Sequence, residues 1–447
     1  MKVVRIGAGA GFQGDRIEPA ADLARRGELD FLVFECLAER TIALAQQAKL
    51  ANPTAGFDPL LERRMRAVLS DCIANGTRII TNAGAANPQG AAACVRSVAR
   101  ELGLSVKVAA VTGDDVLDRI GEHILDETGQ TAASLGRNLV SANAYIGCDG
   151  IVEALAADAD VVICGRASDP ALFLAPLVHS FGWAMDDWTR LGRGTLIGHM
   201  LECAAQVTGG YFADPGSKNV NDLLNIGFPL AEVSEDGNAV ITKLPGTGGL
   251  VSRATCTEQL LYEIHDPARY LQPDVVADFS RVTLEEIGPD RVQVKGASGT
   301  PPTGKLKVSV GYRDGWLGEG QMSYAGVNCI ERGRLALDLV GARLQVVGPA
   351  IRESRGDLIG LDSIAPTVPG TRQRPTEIRM RYAARCTDRA TAQRVGEEVE
   401  SLYLCGPAGG GGATKSVREI IGIASTLVPR DLVRLDCALL EERDEVA

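Results

Sequence analysis

Apolar residues fall along this chain in two rhythms. Short, nearly unbroken runs occur at 3–6, 31–34, 78–80, 106–110 and 160–164. They are rich in Val and Ile and bounded by Gly, Asn or Asp, which is how a strand buried on both faces reads. Between the runs, apolar residues recur at helical spacing. CLAERTIALAQQAKL brings Leu37, Ile42, Leu44 and Ala45 to one face, residues 58–75 repeat the pattern, and VLDRIGEHIL after Asp115 predicts a further helix. Strands alternating with helices predict an α/β fold with a doubly wound, mostly parallel sheet.

The rhythm changes near residue 225. FPLAEVSEDGNAVITKL alternates apolar and polar positions around a Glu-Asp-Gly turn, and DRVQVKGASG and KLKVSVGY continue that antiparallel texture before the helical run ERGRLALDLVGARL. Three segments are therefore expected. They are an α/β domain over 1–224 with the main cleft, a smaller α+β domain over 225–345, and a C-terminal α/β segment over 346–447 completing the second domain. In the last, RPTEIRMRYAARC reads as a strand, ATAQRVGEEVESLYL as a helix, and GPAGGGGATKS as a glycine-rich lid or connector reaching Lys415.

Composition narrows the class of function. A chain of 447 residues with net charge −11 and 4% aromatic residues disfavours nucleic-acid and anionic-membrane partners. Eleven cysteines without CxxC or CxxH spacing lie mostly in apolar runs, as buried thiols of a reducing cytoplasm do. No signal peptide or long apolar stretch is evident, so a cytoplasmic location is expected. No metal or redox cofactor is required by these residues.

Candidate chemistry collects where the predicted strands end, the edge at which open α/β sheets bind ligands. Gly9-Ala10-Gly11-Phe12-Gln13-Gly14 matches the dinucleotide fingerprint, with Glu35 ending the next strand, but the following helix starts only near Pro19. Asp15 and Arg16 close that loop, as cleft residues or as part of a helix cap. If Glu35 begins a helix, Glu39 shares its face, and two close carboxyls would have their pKa values pushed apart for acid–base work. Asn82, Asn87 and Asn143 follow or sit in strands and suit a substrate carbonyl or hydroxyl, or simply turns. Arg166 suits a phosphate or carboxylate, or an ion pair with Asp169. His199 lies with Glu202 at a spacing of three on one helix face and is the candidate proton shuttle. Gly246, Thr247, Gly248 and Gly249 precede a helix and suit an anion or oxyanion.

Several long segments carry a resemblance. GFQGDR (11–16), TNAGAANPQG (81–90), SANAYIG (141–147), GRASDPAL (165–172), LVHSFGW (177–183), GHMLECAAQVTGGYF (198–212), PGTGGLVS (245–252) and GYRDGWLGEGQMSYAG (311–326) resemble the acyclic terpene utilization (AtuA) family. The resemblance runs from about residue 3 to about residue 345. It implies a bacterial protein encoded beside enzymes that degrade citronellol and geraniol as coenzyme A thioesters. Many relatives continue into a small ferredoxin-like C-terminal domain. This chain leaves no evident room for one, so a small separate ferredoxin-like subunit is an expected partner.

Together these readings predict a catabolic enzyme acting on acyl-CoA thioesters or related branched carboxylates, by hydration, dehydration or carbon–carbon cleavage. Coenzyme A would enter only as part of the substrate. Glu35, Glu39, His199 and Asp15 are the catalytic candidates. Arg16, Asn82, Asn87, Asn143, Arg166, Asp169 and Gly246–Gly249 are the substrate-binding ones. A homo-oligomer is the default assembly. An NAD(P)-dependent oxidoreductase and a non-catalytic ligand-binding subunit are the alternatives.

Overall fold

The computed structural model describes residues 2–346, 350–365 and 375–440. Two compact units emerge: residues 1–311 with 423–447, and residues 312–422 inserted between them in the chain.

The first unit begins β1 (Val3–Ala10), α1 (Glu18–Arg26), β2 (Phe31–Phe34), α2 (Glu39–Ala51), α3 (Leu61–Asn75), β3 (Arg78–Thr81), α4 (Pro88–Glu101) and β4 (Val108–Thr112). It continues β5 (Leu139–Ala144), α5 (Asp149–Ala156), β6 (Val161–Cys164), α6 (Asp169–Phe181), α7 (Trp188–Leu201), β7 (Pro229–Ser234), β8 (Ala239–Lys243) and α8 (Arg253–Leu261). The short strands β9 (Tyr270–Leu271), β10 (Val276–Asp278), β11 (Thr283–Gly288), β12 (Arg291–Lys295) and β13 (Ser298–Thr300) follow.

The five apolar runs become β1, β2, β3, β6 and β4, neighbours in that order and all parallel. Nearly every residue of β2, β3, β4 and β6 is buried, and only Arg78 and Thr112, at strand ends, are partly exposed. Leu32, Val33, Ile80, Val162 and Ile163 are fully enclosed at the centre of the main core. Such burial stabilises by about 25 cal/mol per Å² of apolar surface.

The expected boundary at 225 falls inside this sheet. β7 pairs antiparallel with β1, and β8, β12 and β11 extend the same edge. The alternating texture was real, but its strands cover the open edge of β1 rather than founding a separate domain. At the other edge Asp436–Leu440 pairs antiparallel with β4. The result is a mixed α/β fold around a ten-stranded mixed sheet. VLDRIGEHIL forms turns instead of a helix; Val116 N–H bonds the Ala142 carbonyl and draws that backbone toward β5.

The second unit contains the latter part of β14 (Lys305–Ala325), α9 (Cys329–Gln345), β15 (Ile351–Ile359), β16 (Glu377–Cys386), α10 (Arg389–Cys405) and the first part of β17 (Gly411–Pro429). Its strands lie in the order β15-β16-β14-β17. This βαββαβ sequence is the ferredoxin-like arrangement. The chain therefore holds such an arrangement within residues 312–422. The glycine-rich segment is no lid: Gly411 opens β17, and Lys415 within that strand pairs with Glu400 at 2.5 Å. No helix among the described residues is long and apolar enough to cross a membrane.

The fingerprint glycines are explained by packing. Gly9 lies inside β1, where a Cβ would sit 2.6 to 2.8 Å from the Phe34 ring. Gly14 lies four residues before α1, so the loop does not form that helix's N-terminus and lacks the geometry that dinucleotide phosphates require. Gly9→Ala should overpack β1 against Phe34 and cost about 1–3 kcal/mol, read as a lowered urea midpoint.

Candidate functional site

Four of the five parallel strands deliver a functional-type residue just past their last apolar position. Glu35 follows β2, Asn82 follows β3, Asp114 lies two beyond β4, and Arg166 lies two beyond β6. All four are buried. Beside them opens a cavity of about 1240 Å³, lined by Gly11–Gly14, Glu35–Glu39, Tyr145, Arg166, Asp169, Glu202, Cys203, Tyr262, Tyr270, Lys305 and Lys307, among others. Leu37, Pro170, Leu271, Pro273, Leu306 and Leu427 give it apolar walls.

Glu35 is the group most altered by this setting. The Leu37 N–H (2.7 Å) and Asn82 Nδ2 (2.9 Å) both donate to its Oε1. Burial, and then the nearby Asp169 carboxylate, push its pKa well above the ordinary value, although Arg166 and those donors oppose the rise. Glu35 is thus shifted toward holding its proton. Asn82 sets its orientation, because the Cys36 N–H donates to Asn82 Oδ1 at 2.7 Å and fixes the amide.

Glu39 behaves oppositely. It begins α2, whereas Glu35 stays in the loop before it, so the two do not share a helix face. Burial works against its ionisation, but the Tyr145 hydroxyl, at 2.5 Å, and Lys307, at 3.2 Å, bring its pKa down to about 2. Tyr145 is stacked by the Arg166 guanidinium at 4.5 Å and the Lys307 ammonium at 4.9 Å from its ring centroid.

Arg166 is almost fully committed inside the protein. Its guanidinium donates to the carbonyls of Leu37 and Ala167 and pairs with Asp169. Of the two roles open to it, the structure favours the ion pair. Asp169 keeps 36% of its side-chain surface open to the cavity while protein surrounds it, and burial pushes its carboxyl up against the pull of Arg166. Asp114 braces this corner: it accepts from the Arg166 N–H (2.9 Å) and Asn143 Nδ2 (2.8 Å), and burial raises it to about 6.

His199 is fully buried and does not line the cavity. Its Nδ1 lies 2.8 Å from Glu202 Oε1, and it is Glu202 that reaches the wall. Burial raises Glu202 to about 7 despite His199.

Several candidates lie elsewhere. Asp15 accepts from the Gly11 and Arg16 N–H groups and so closes its own loop. Arg16 donates to the Leu223 and Leu224 carbonyls. It lines a separate cavity of about 530 Å³ together with Gly246 and Thr247. Gly248 and Gly249 make backbone bonds to Asn225 and Asn221, and α8 starts only after Ser252, which caps it. The 246–249 segment is thus not that helix's N-terminus. Asn87 caps α4 by accepting from Gly90 N–H, and Asn143 is the partner of Asp114.

Arg64 was not anticipated. It is buried in an ion pair with Asp58, and it donates to the Gln13 carbonyl (2.7 Å) and to Cys36 Sγ (3.3 Å). One guanidinium thereby ties α3 to the Gly11–Gly14 loop and to the residue beside Glu35. The spacing Asp58–Arg64 across the start of a helix was the available signal, hidden among exposed charges of the same segment. Cys148, Asp149 and Asp274 cluster closely enough for a cation, but Arg430 pairs with Asp149 there.

Two stability tests follow. Arg64→Met leaves Asp58 a buried uncompensated charge and should cost about 3–5 kcal/mol in urea unfolding. Glu35 has a folded pKa above its unfolded value of 4.5, so the stability it contributes is complete below that value and is lost as pH rises through the folded one. Glu35→Gln can keep both hydrogen bonds to Oε1 and should therefore match or exceed the wild-type midpoint near neutrality, with the gap widening as pH rises.

A sequence model of the acyclic terpene utilisation family protein AtuA matches residues 4–439, beyond the span near 345 at which the recognised motifs end. No curated protein and no solved structure matches the chain. With nearly its whole length covered, this chain belongs to the acyclic terpene utilisation family AtuA.

Proposed function

We propose that the 1240 Å³ cavity is the active site of a lyase of the hydration–dehydration type, acting on branched acyl groups carried as thioesters or free carboxylates. The observation that carries this reading is Glu35, a buried carboxyl held by Leu37 N–H and Asn82 in the wall of an apolar-sided cavity, with its pKa raised by that burial. A protonated carboxyl is the group that a departing hydroxyl needs, since hydroxide is a poor leaving group and water is a good one. The apolar walls suit the branched carbon skeleton. Lys305, exposed at the cavity, suits the anionic end of a coenzyme A carrier. Arg166 and Asp169 hold the electrostatics around Glu35 and need not touch the substrate. The family's link to acyclic terpene use agrees with a branched apolar skeleton.

The test is a turnover assay with a β-methyl-branched enoyl thioester of coenzyme A and with the corresponding free acid. Loss of the enoyl absorbance, with a product heavier by one water, is the expected result. Glu35→Gln should lower kcat by about 10²–10⁴-fold with its fold intact. Wild-type activity should fall as pH rises through the elevated Glu35 pKa. A ligand that raises the thermal midpoint without being turned over would instead support the non-catalytic binding subunit. Full activity in Glu35→Gln would sink the assignment of the acid.

A further inference from the structure

The hydration reading needs a second group, one that handles the proton on carbon while Glu35 serves the oxygen. We infer that Glu202 is this second proton-transfer residue, and that His199 acts only through it, as a positioning residue. The inference rests on the proposed reaction for its chemistry but on independent geometry for its residues.

Glu202 lines the cavity, and its two oxygens are treated differently. Oε1 lies 2.8 Å from His199 Nδ1, whereas Oε2 is buried without a hydrogen-bond partner among the described residues. A buried carboxylate oxygen left unpaired is costly unless something else meets it. Glu202 as a residue is 7% exposed and lines the cavity, so a turn of its carboxyl is what brings this enclosed oxygen to a substrate C–H.

The His199 ring is held so that its proton can be counted. Nε2 lies 3.3 Å from the Leu260 carbonyl, and a carbonyl can only accept, so Nε2 carries hydrogen. The contact between Nδ1 and Oε1 then shares one further proton, which rests on either the imidazole or the carboxyl. Gln259 Nε2 donates to the His199 carbonyl at 2.7 Å, and Tyr270 and Phe279 pack on the ring at 5.5 and 5.9 Å. Burial raises Glu202 to about 7, and Glu202 in turn raises His199 against its own burial. Both directions agree with a shared proton.

The backbone around Glu202 is also constrained. Ala204 adopts φ +40°, a sparsely populated conformation for a residue with a side chain. A Cβ on Gly11 would lie 2.4 Å from the Cys203 carbonyl carbon, so the Gly11–Gly14 loop presses directly on this turn. The charges facing Glu202 are His199 on α7, Asp169 at the start of α6 and Glu263 after α8. Glu35, Cys203, Tyr262 and Tyr270 line the same cavity.

In the dehydration direction the step balances as follows. The Glu202 carboxylate takes the proton α to the carbonyl, and the C–H electron pair becomes the new C=C bond. The C–O bond breaks, and the hydroxyl leaves as water with the proton of Glu35. Glu202 ends protonated and Glu35 ionised, and one proton passed through solvent resets both.

Two measurements test the assignment. In the turnover assay with the branched enoyl thioester, Glu202→Gln should lose about a hundredfold or more in kcat. His199→Gln should retain more activity but move the acidic limb of the pH profile upward, because His199 lowers the Glu202 pKa. Independently of substrate, carbon-13 labelling of Glu carboxyls should reveal one resonance titrating near pH 7 that moves to higher pH in His199→Gln. Full activity in Glu202→Gln overturns the inference while leaving the reaction standing. A pH limb and a carboxyl titration both unmoved in His199→Gln overturn the positioning role. If no thioester or acid is turned over, the proposed reaction fails, and the carboxyl titration still decides whether the pair shares a proton. Should Glu202→Gln not fold, the same titration in wild type and His199→Gln decides between a shared proton and its absence.

Discussion

Burying the parallel strands on both faces is the constraint from which the rest follows. β2, β3, β4 and β6 are closed to water along nearly their whole length, so their interiors are apolar and polar side chains (Arg78, Thr81, Thr112) occur only at strand ends. Polar groups are displaced to the first residues beyond the strands, and there the chain places Glu35, Asn82, Asp114 and Arg166. They remain buried, so each must be satisfied by another. Asn82 holds Glu35, Asp114 holds the Arg166 backbone, and Arg166 holds Asp169. The network is a consequence of the core before it is a device for chemistry.

The same constraint sorts the carboxyls by role. Burial and the Asp169 carboxylate raise Glu35 against the pull of Arg166, while Glu39, with Lys307 and the Tyr145 hydroxyl beside it, stays ionised even in acid. Proximity of the two carboxyls in sequence is not what separates them. The charge that raises Glu35 further belongs to Asp169, from a different strand end. Arg64 completes the arrangement, fixing a loop that lines the cavity through the Gln13 carbonyl.

How much of this was legible follows from what each signal depends on. The parallel strands could be read because unbroken apolar runs have few other uses, and the ligand edge followed from them. Glu35, Glu39, Arg166 and Asp169 were found in that way, and all four line the cavity. The alternation after residue 225 announced antiparallel strands but could not say which strand they would pair with; the exposed edge of β1 decided that. Asn87 and Asp15 looked like ligands because caps and ligands use the same side chains. His199 drew the eye as the titratable residue, but a spacing of three says only that two residues share a helix face. Which of the pair points to the cavity depends on Phe279 and Tyr270, far along the chain, enclosing the imidazole.

The charge balance of the cavity favours raised carboxyl pKa values within it. Glu35, Glu39, Asp126, Asp169, Glu202 and Glu263 line it against Arg166, Lys305 and Lys307 alone. Were every carboxyl ionised, like charges would crowd a partly desolvated space, and the repulsion would exceed what three cations offset. Burial shifts Glu35 in the direction that relieves the excess, whereas Glu202, at about 7 and paired with His199, remains able to ionise near neutrality. An apolar substrate entering the cavity strengthens that tendency by expelling water. Binding and proton retention thus reinforce each other, so the acid is most fully protonated when a substrate is present to receive its proton.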